Sequence, residues 1–173
     1  ERGEISSAVF VTTSGGLVGG DCIELSAQVR GDGKLRCYPQ SAEKIYRSNG
    51  ADTNINVTLE IESGAWLEWL PQETILFDGG RLIRRTEVRA SAGAKLLAGE
   101  MMVLGRCAMG ESIQNGLIQD DWSVSVSGQV RWTDSFKLSE NIAEVLAHPA
   151  GLGGASALAT IVYVANDSAK NLG

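Results

Sequence analysis

Four glutamates, Glu68, Glu73, Glu100 and Glu111, lie within or beside otherwise apolar runs, and Glu100 sits directly between Gly99 and Met101-Met102-Val103-Leu104. A carboxylate in such a place must be solvated, paired or functional, because an unpaired buried charge is expensive. Arg106 or Lys44 could pair with one of them. Two converging carboxylates would do glycoside-hydrolase chemistry. Carboxylates spaced apart would bind a divalent ion weakly through oxygen. Asp21 is a further candidate. It ends the loop Gly15-Gly16-Leu17-Val18-Gly19-Gly20-Asp21, whose four glycines suggest close backbone packing that presents one carboxylate. A turn-capping aspartate explains the same residues. The loop has no Gly-Lys-Ser/Thr and no following helix, so neither phosphate-loop nor dinucleotide patterns fit.

Other reactive side chains are few. His148 is the only histidine, placed between an expected helix and Pro149, a poor seat for a rigid general base. Cages built on His and Cys are therefore not expected, and Cys22 and Cys37 read as buried small hydrophobes, with a pair of soft ligands as the alternative. Cys22, Cys37 and Cys107 are odd in number, widely spaced and without a CxxC, and read as free thiols in a reducing compartment. Trp66 and Trp69, three apart, point to opposite faces of a strand, which suits core packing better than a carbohydrate platform.

The elements that must position these residues repeat. Ile23 to Val29, Ile55 to Ile61 and Thr86 to Ala90 alternate apolar and polar residues, each followed by a glycine turn and a second apolar run. The turn glycines Gly33, Gly64 and Gly93 step by 31 and 29 residues, and Pro39-Gln40 and Pro71-Gln72 are 32 apart. A period of about 30 residues marks a repeat architecture. Alternation puts Ile55, Val57, Leu59 and Ile61 on one face. One such unit cannot bury its apolar face alone, but stacked units can. The expected fold is mostly β: stacked β-sheets with a β-solenoid-like strand-turn-strand repeat and one or two short helices. Further strands are expected over 7–12, 113–118, 122–127, 129–136 and 157–164. A helix is expected from an N-cap at Ser139 to about Ala147, and a helix start near Asn166-Asp167-Ser168-Ala169-Lys170.

The 173 residues suit a single domain spanning 1–173, with both ends reading as if the chain were part of a longer one. A chain of this size can bury about 70% of its extended surface. Lys and Arg number 15 against 21 Asp and Glu, a net charge of −6, which argues against nucleic acid as a partner. No apolar stretch approaches membrane-spanning length.

The wording of the repeats adds a family. Leu67-Glu68-Trp69-Leu70-Pro71-Gln72-Glu73-Thr74-Ile75, the glycine loop ending at Asp21, Lys44-Ile45-Tyr46-Arg47-Ser48, and Gly105-Arg106 followed by Gly110-Glu111 resemble signatures of the UreD (UreH) family of urease accessory proteins. They occur in that family's order across about 15–111. Thr12-Thr13-Ser14 stands where the family often has His-Pro-Pro, and Ser41-Ala42-Glu43-Lys44 where it often has Gly-Ala-Thr-Lys. The resemblance implies a cytoplasmic assembly factor rather than an enzyme. It implies binding to the urease structural subunits and recruitment of UreF-like and UreG-like partners, the latter a nickel-delivering GTPase. No tightly bound cofactor is implied, and nickel would pass transiently along a water-filled path. Asp21, Glu100 and Asp134 match acidic positions of the family and are the expected path carboxylates. Tyr46, Arg47, Arg106 and Glu111 are expected to hold loops or partner interfaces. The alternatives are an adaptor that never touches nickel and, more distantly, a β-solenoid hydrolase.

Overall fold

The computed structural model describes residues 4–106, 109–139 and 141–166. Cys107 and most of the helix start expected after Asn166 lie outside the described residues.

Three coils wind one above the other. The first comprises β2 (Cys22–Val29), β3 (Lys34–Pro39) and β4 (Glu43–Ile45); the second β5 (Thr53–Ile61), β6 (Trp66–Trp69) and β7 (Thr74–Leu76); the third β8 (Arg81–Ala90) and β9 (Lys95–Leu104). In β5, Thr53, Ile55, Val57, Leu59 and Ile61 are all buried, the alternation expected of a strand with one wet face. Strands β2, β5 and β8 stack in parallel, and β10 (Leu117–Val126) adds to β8 in parallel. A second sheet stacks β3, β6 and β9, also in parallel, with β1 (Ser6–Phe10) added to β3. The core lies between the two sheets: Leu59, Leu67, Leu82, Val88, Leu96 and Ile118 are fully buried.

The coils close through equivalent turns. Gly33, Ala65 and Ala94 donate their N–H groups to the carbonyls of Arg30, Glu62 and Ser91. Val29, Ile61 and Ala90 are in register, so the coils advance by 32 and then 29 residues. The first step therefore matches the proline spacing rather than the glycine spacing. The reason is local: Gly64 and Gly93 take φ of 83° and 80°, whereas the first turn puts its positive φ of 55° on Gly31 instead of Gly33.

The Pro-Gln pairs interrupt the strands that carry them. Trp66–Trp69 pair with Lys95–Ala98 and Thr74–Leu76 with Met102–Leu104, so β6 and β7 are two pieces of one broken strand beside an unbroken β9. The break between β3 and β4 lies above it. Proline has no N–H to give the ladder, which ends each first piece. The third coil has no proline there, and Gly99-Glu100-Met101 runs straight past the gap.

Antiparallel strands close the far end. β11 (Gln129–Leu138) pairs with β10, and β12 (Ala157–Val164) with β9. Residues 119–121, expected as a break between two strands, are continuous β10, whereas 113–116, expected as strand, precede it as irregular chain. One helix, α1 (Ile142–Ala147), precedes β12. Its N-cap is Asn141 at φ 51°, not Ser139, and no side chain caps it. Among the described residues no helix is long and apolar enough to cross a membrane.

Candidate functional site

Glu100 lies inside the solenoid, and its partner is Arg84, neither Arg106 nor Lys44. Arg84 Nη1 donates to Glu100 Oε2 at 2.6 Å and to Thr74 Oγ1 at 3.2 Å. Its other edge grips Asp120 in a bidentate pair, Nε to Oδ1 at 2.9 Å and Nη2 to Oδ2 at 2.7 Å. Trp69 Nε1 donates to Glu100 Oε1 at 3.0 Å. The side chains of Arg84, Glu100 and Asp120 are each only 3–4% exposed. Arg84 and Asp120 come from one sheet and Glu100, Trp69 and Thr74 from the other, so the network fastens the two layers across the core.

Two carboxylates share one guanidinium. Burial pushes the Glu100 carboxyl above its usual range, against the pull of Arg84 and the Trp69 N–H, and the Asp120 charge pushes the same way. Burial opposes the charge on Arg84, but the Glu100 and Asp120 carboxylates outweigh it and raise its pKa.

The network borders a cavity of about 90 Å³ between the sheets. Arg84, Glu100 and Thr74 line it, as do Pro39, Pro71 and Gln72 from the strand breaks. Cys37, Trp69, Ile55 and Val57 supply apolar wall. The proline interruptions thus remove sheet where Glu100 faces inward. Two more inward polar atoms in the next row, Thr86 Oγ1 and Trp122 Nε1, have no hydrogen-bond partner among the described residues.

The other expected path carboxylates stand apart from this network. Asp21 Oδ2 accepts the Val18 N–H at 2.9 Å, and the Asp21 N–H donates to the Val18 carbonyl at 3.1 Å. Asp21 therefore closes a turn. Its glycine loop packs tightly: a Cβ at Gly16 would lie 2.5 Å from the Tyr46 ring. Asp134 is exposed on β11, in register with Trp122. Among the described residues no three His, Cys, Asp or Glu side chains are grouped to hold a metal ion.

Tyr46, Arg47, Arg106 and Glu111 do come together, around Phe77 and Asp78. The Tyr46 ring meets Phe77 edge-on with centroids 4.8 Å apart, and the Arg106 guanidinium lies 4.3 Å from the same ring centre. Arg106 Nε donates to Glu111 at 2.8 Å and Arg47 Nη2 to Asp78 at 2.6 Å. Asp78 also accepts the N–H groups of Gln114 and Asn115. The Asn115 N–H first, then Gln114 and Arg47, hold Asp78 below its usual range; the hydrogen bond from Arg106 does the same for Glu111. This cluster ties the corner loops of successive coils. Glu68 is structural: Arg36 and Trp66 Nε1 hold it on the outside of its sheet. His148 Nδ1 accepts the Ala150 N–H at 3.0 Å just beyond α1.

Arg84, Asp120, Phe77 and Asp78 escape the sequence reading, though signals for them exist. Leu82-x-Arg84-x-Thr86-x-Val88 and Ile118-x-Asp120-x-Trp122-x-Val124 place the charged residue on the apolar face. Phe77 and Asp78 follow Leu76 as Tyr46 and Arg47 follow Ile45, one coil earlier.

The family model of the UreD urease accessory protein matches residues 1–172. The urease accessory protein UreD of Magnetococcus marinus is 48% identical over 170 residues, covering 98% of this chain and 59% of the relative. The protein of the same name from Granulibacter bethesdensis is 43% identical over 98% of this chain and 70% of its own length. That of Rhodopseudomonas palustris strain BisA53 is 41% identical over 96% and 58%. The chain thus spans under two thirds of the length of two of these three relatives. A solenoid of about 30-residue coils, the four matching sequence blocks and a match along nearly the whole chain agree: the chain belongs to the UreD family of urease accessory proteins.

Proposed function

We propose that this chain works in urease maturation as a non-catalytic scaffold that binds the urease structural subunits, recruits UreF-like and UreG-like partners, and gives nickel a route through its interior. The observation that carries the route is the Arg84–Glu100–Asp120 network beside the cavity between the sheets. A route needs weak, multi-site binding, since a tight cage would trap the ion. The network suits that requirement. Two carboxylates against one guanidinium leave a surplus negative charge when both are ionised, yet Arg84 keeps Glu100 from being a free ligand. Thr86 Oγ1 and Trp122 Nε1 extend the polar surface inward, where water would satisfy them.

Within this reading Asp21 shapes the glycine loop through its turn, and Asp134 offers an exposed carboxylate. Tyr46, Arg47, Arg106 and Glu111 present one rigid corner surface to a partner. The adaptor alternative draws support from the separation of Asp21, Glu100 and Asp134. The hydrolase alternative requires two free converging acids, and Glu100 and Asp120 are both held by Arg84.

Titration of nickel into the protein distinguishes these readings. The route predicts weak binding that Glu100→Gln weakens further, with a pull-down of urease subunits and the UreF-like protein unchanged. A sub-micromolar site dependent on His148, or nickel binding indifferent to Glu100→Gln, would contradict it.

A further inference from the structure

The outer faces of the two sheets differ in kind. On the sheet of β2, β5, β8 and β10, the outward rows are polar: Glu24, Asn56, Arg85 and Asp121 lie in register, as do Gln28, Glu60 and Arg89. That face suits water. On the sheet of β3, β6, β9 and β12, the outward residues include Leu70, Leu97, Met101, Ile161 and Tyr163 around Gly99. Ile161 is 74% exposed, Met101 44% and Leu70 37%. Exposed apolar patches of this kind mark interaction sites.

Gly99 points the same way. A glycine inside a strand weakens it and often marks a close approach by another backbone. Nothing among the described residues requires one here. A Cβ at Gly99 would meet only Thr160 O at 3.6 Å and Ile161 Cγ1 at 3.8 Å, ordinary contacts. The missing side chain lowers the outer surface of β9 between Leu97 and Met101, with Ile161 in register on the neighbouring strand.

We propose that this face docks an amphipathic α-helix of a partner protein, lying along β9 with its apolar side over Gly99 and acidic residues at the end beside Lys34 and Lys95. A helix is the occupant because parallel sheets with an apolar face are characteristically covered by helices. Charge fixes its polarity. Lys34, Trp66 and Lys95 are in register at one end of this face, and among the described residues neither lysine has an ion pair. The nearby Arg36 is taken by Glu68. A helix C-terminus carrying acidic residues complements the two lysines, and its dipole adds to them. From Lys95 to Val103 the strand runs about 26 Å, which about 17 helical residues span.

The test uses two 17-residue helical peptides of one apolar pattern, one carrying glutamates and the other lysines in the last turn, titrated into the protein by calorimetry. The glutamate peptide binds at least ten-fold more tightly. Gly99→Trp and Ile161→Asp each weaken it ten-fold or more with the far-ultraviolet circular dichroism unchanged, and Thr58→Asp on the polar sheet does not. Lys34→Glu with Lys95→Glu, both surface changes, reverses the preference, and decides the matter alone should the other variants unfold. Equal affinity for the two peptides, no binding, or self-association of the protein abolished by Ile161→Asp would overturn the proposal, the last by making a second copy the occupant.

Discussion

Arg84 and Arg89 lie five residues apart on β8 and each holds two carboxylates, one pair inside the solenoid and one outside. Arg84 faces in and grips Glu100 and Asp120 with almost no solvent access. Arg89 faces out and grips Glu87 at 2.7 Å and Glu60 at 3.1 Å, with its side chain 52% exposed. The hydrogen-bond geometry is alike and the setting is not. Outside, water screens the charges and competes for them, so the pair is marginal. Inside, each charge has lost its hydration and depends on its partners. Arginine–carboxylate pairing therefore says little until the face of the strand is known, and only in the inner set does each charge depend wholly on its partners.

The largest effect should separate the two arginines. Arg84→Met strands two buried carboxylates and should cost about 3–5 kcal/mol in chemical denaturation. Arg89→Met should leave the denaturation midpoint unresolved from wild type. Equal effects would erase the distinction between the faces. Next, Arg84→Met combined with Glu100→Met and Asp120→Leu should recover at least half of the single variant's loss, because removing a whole buried network costs far less than breaking it. A triple variant no better than Arg84→Met would show that the network does more than balance charge.

Towards acid pH the outer and inner carboxylates act with opposite sign. Arg36 holds Glu68 below its ordinary value of 4.5, and Arg106 does so for Glu111. Their stabilising contribution is therefore full above pH 4.5 and is lost as pH falls through the lower folded values. Glu100, raised by burial, has the opposite sign: the folded state binds its proton more tightly, so its contribution declines as pH rises above 4.5. Urea midpoints measured from about pH 3 to pH 7 should show Glu68→Gln flattening the acid limb and Glu100→Gln flattening the decline above it. The smallest effect is on the apolar outer face. Gly99→Ala should stabilise the protein by about 0.5–1 kcal/mol, since its backbone needs no positive φ and the new methyl meets ordinary contacts. A loss of stability there would mean that the fold itself demands the glycine.

Much of this architecture is legible in the sequence because a two-residue period and a 30-residue period are both local signals. The alternation through Ile55, Val57, Leu59 and Ile61 gives a strand and its buried face, and Pro39-Gln40 with Pro71-Gln72 gives the coil step. The turn register is harder to read: Gly31, Gly33, Gly64 and Gly93 look equivalent as letters, and only φ separates Gly31 from Gly33. The site was half legible. Glu100 stands out as a carboxylate in an apolar strand, but its partner lies sixteen residues away across the core, and nothing local joins Arg84 to it. Asp21 and Asp134 are expected beside Glu100 from the resemblance, yet one closes a turn and the other is exposed, because spacing along a chain does not fix convergence between coils.

The nickel content of urease matured in cells decides whether the interior route operates. Cells should carry this protein with Glu100→Gln or, as the outer-face control, Arg89→Met, with assembly of the accessory complex verified in both. The interior route predicts several-fold less nickel per urease active site with Glu100→Gln and no change with Arg89→Met. Wild-type nickel content with Glu100→Gln, or an equal loss with both variants, would contradict it.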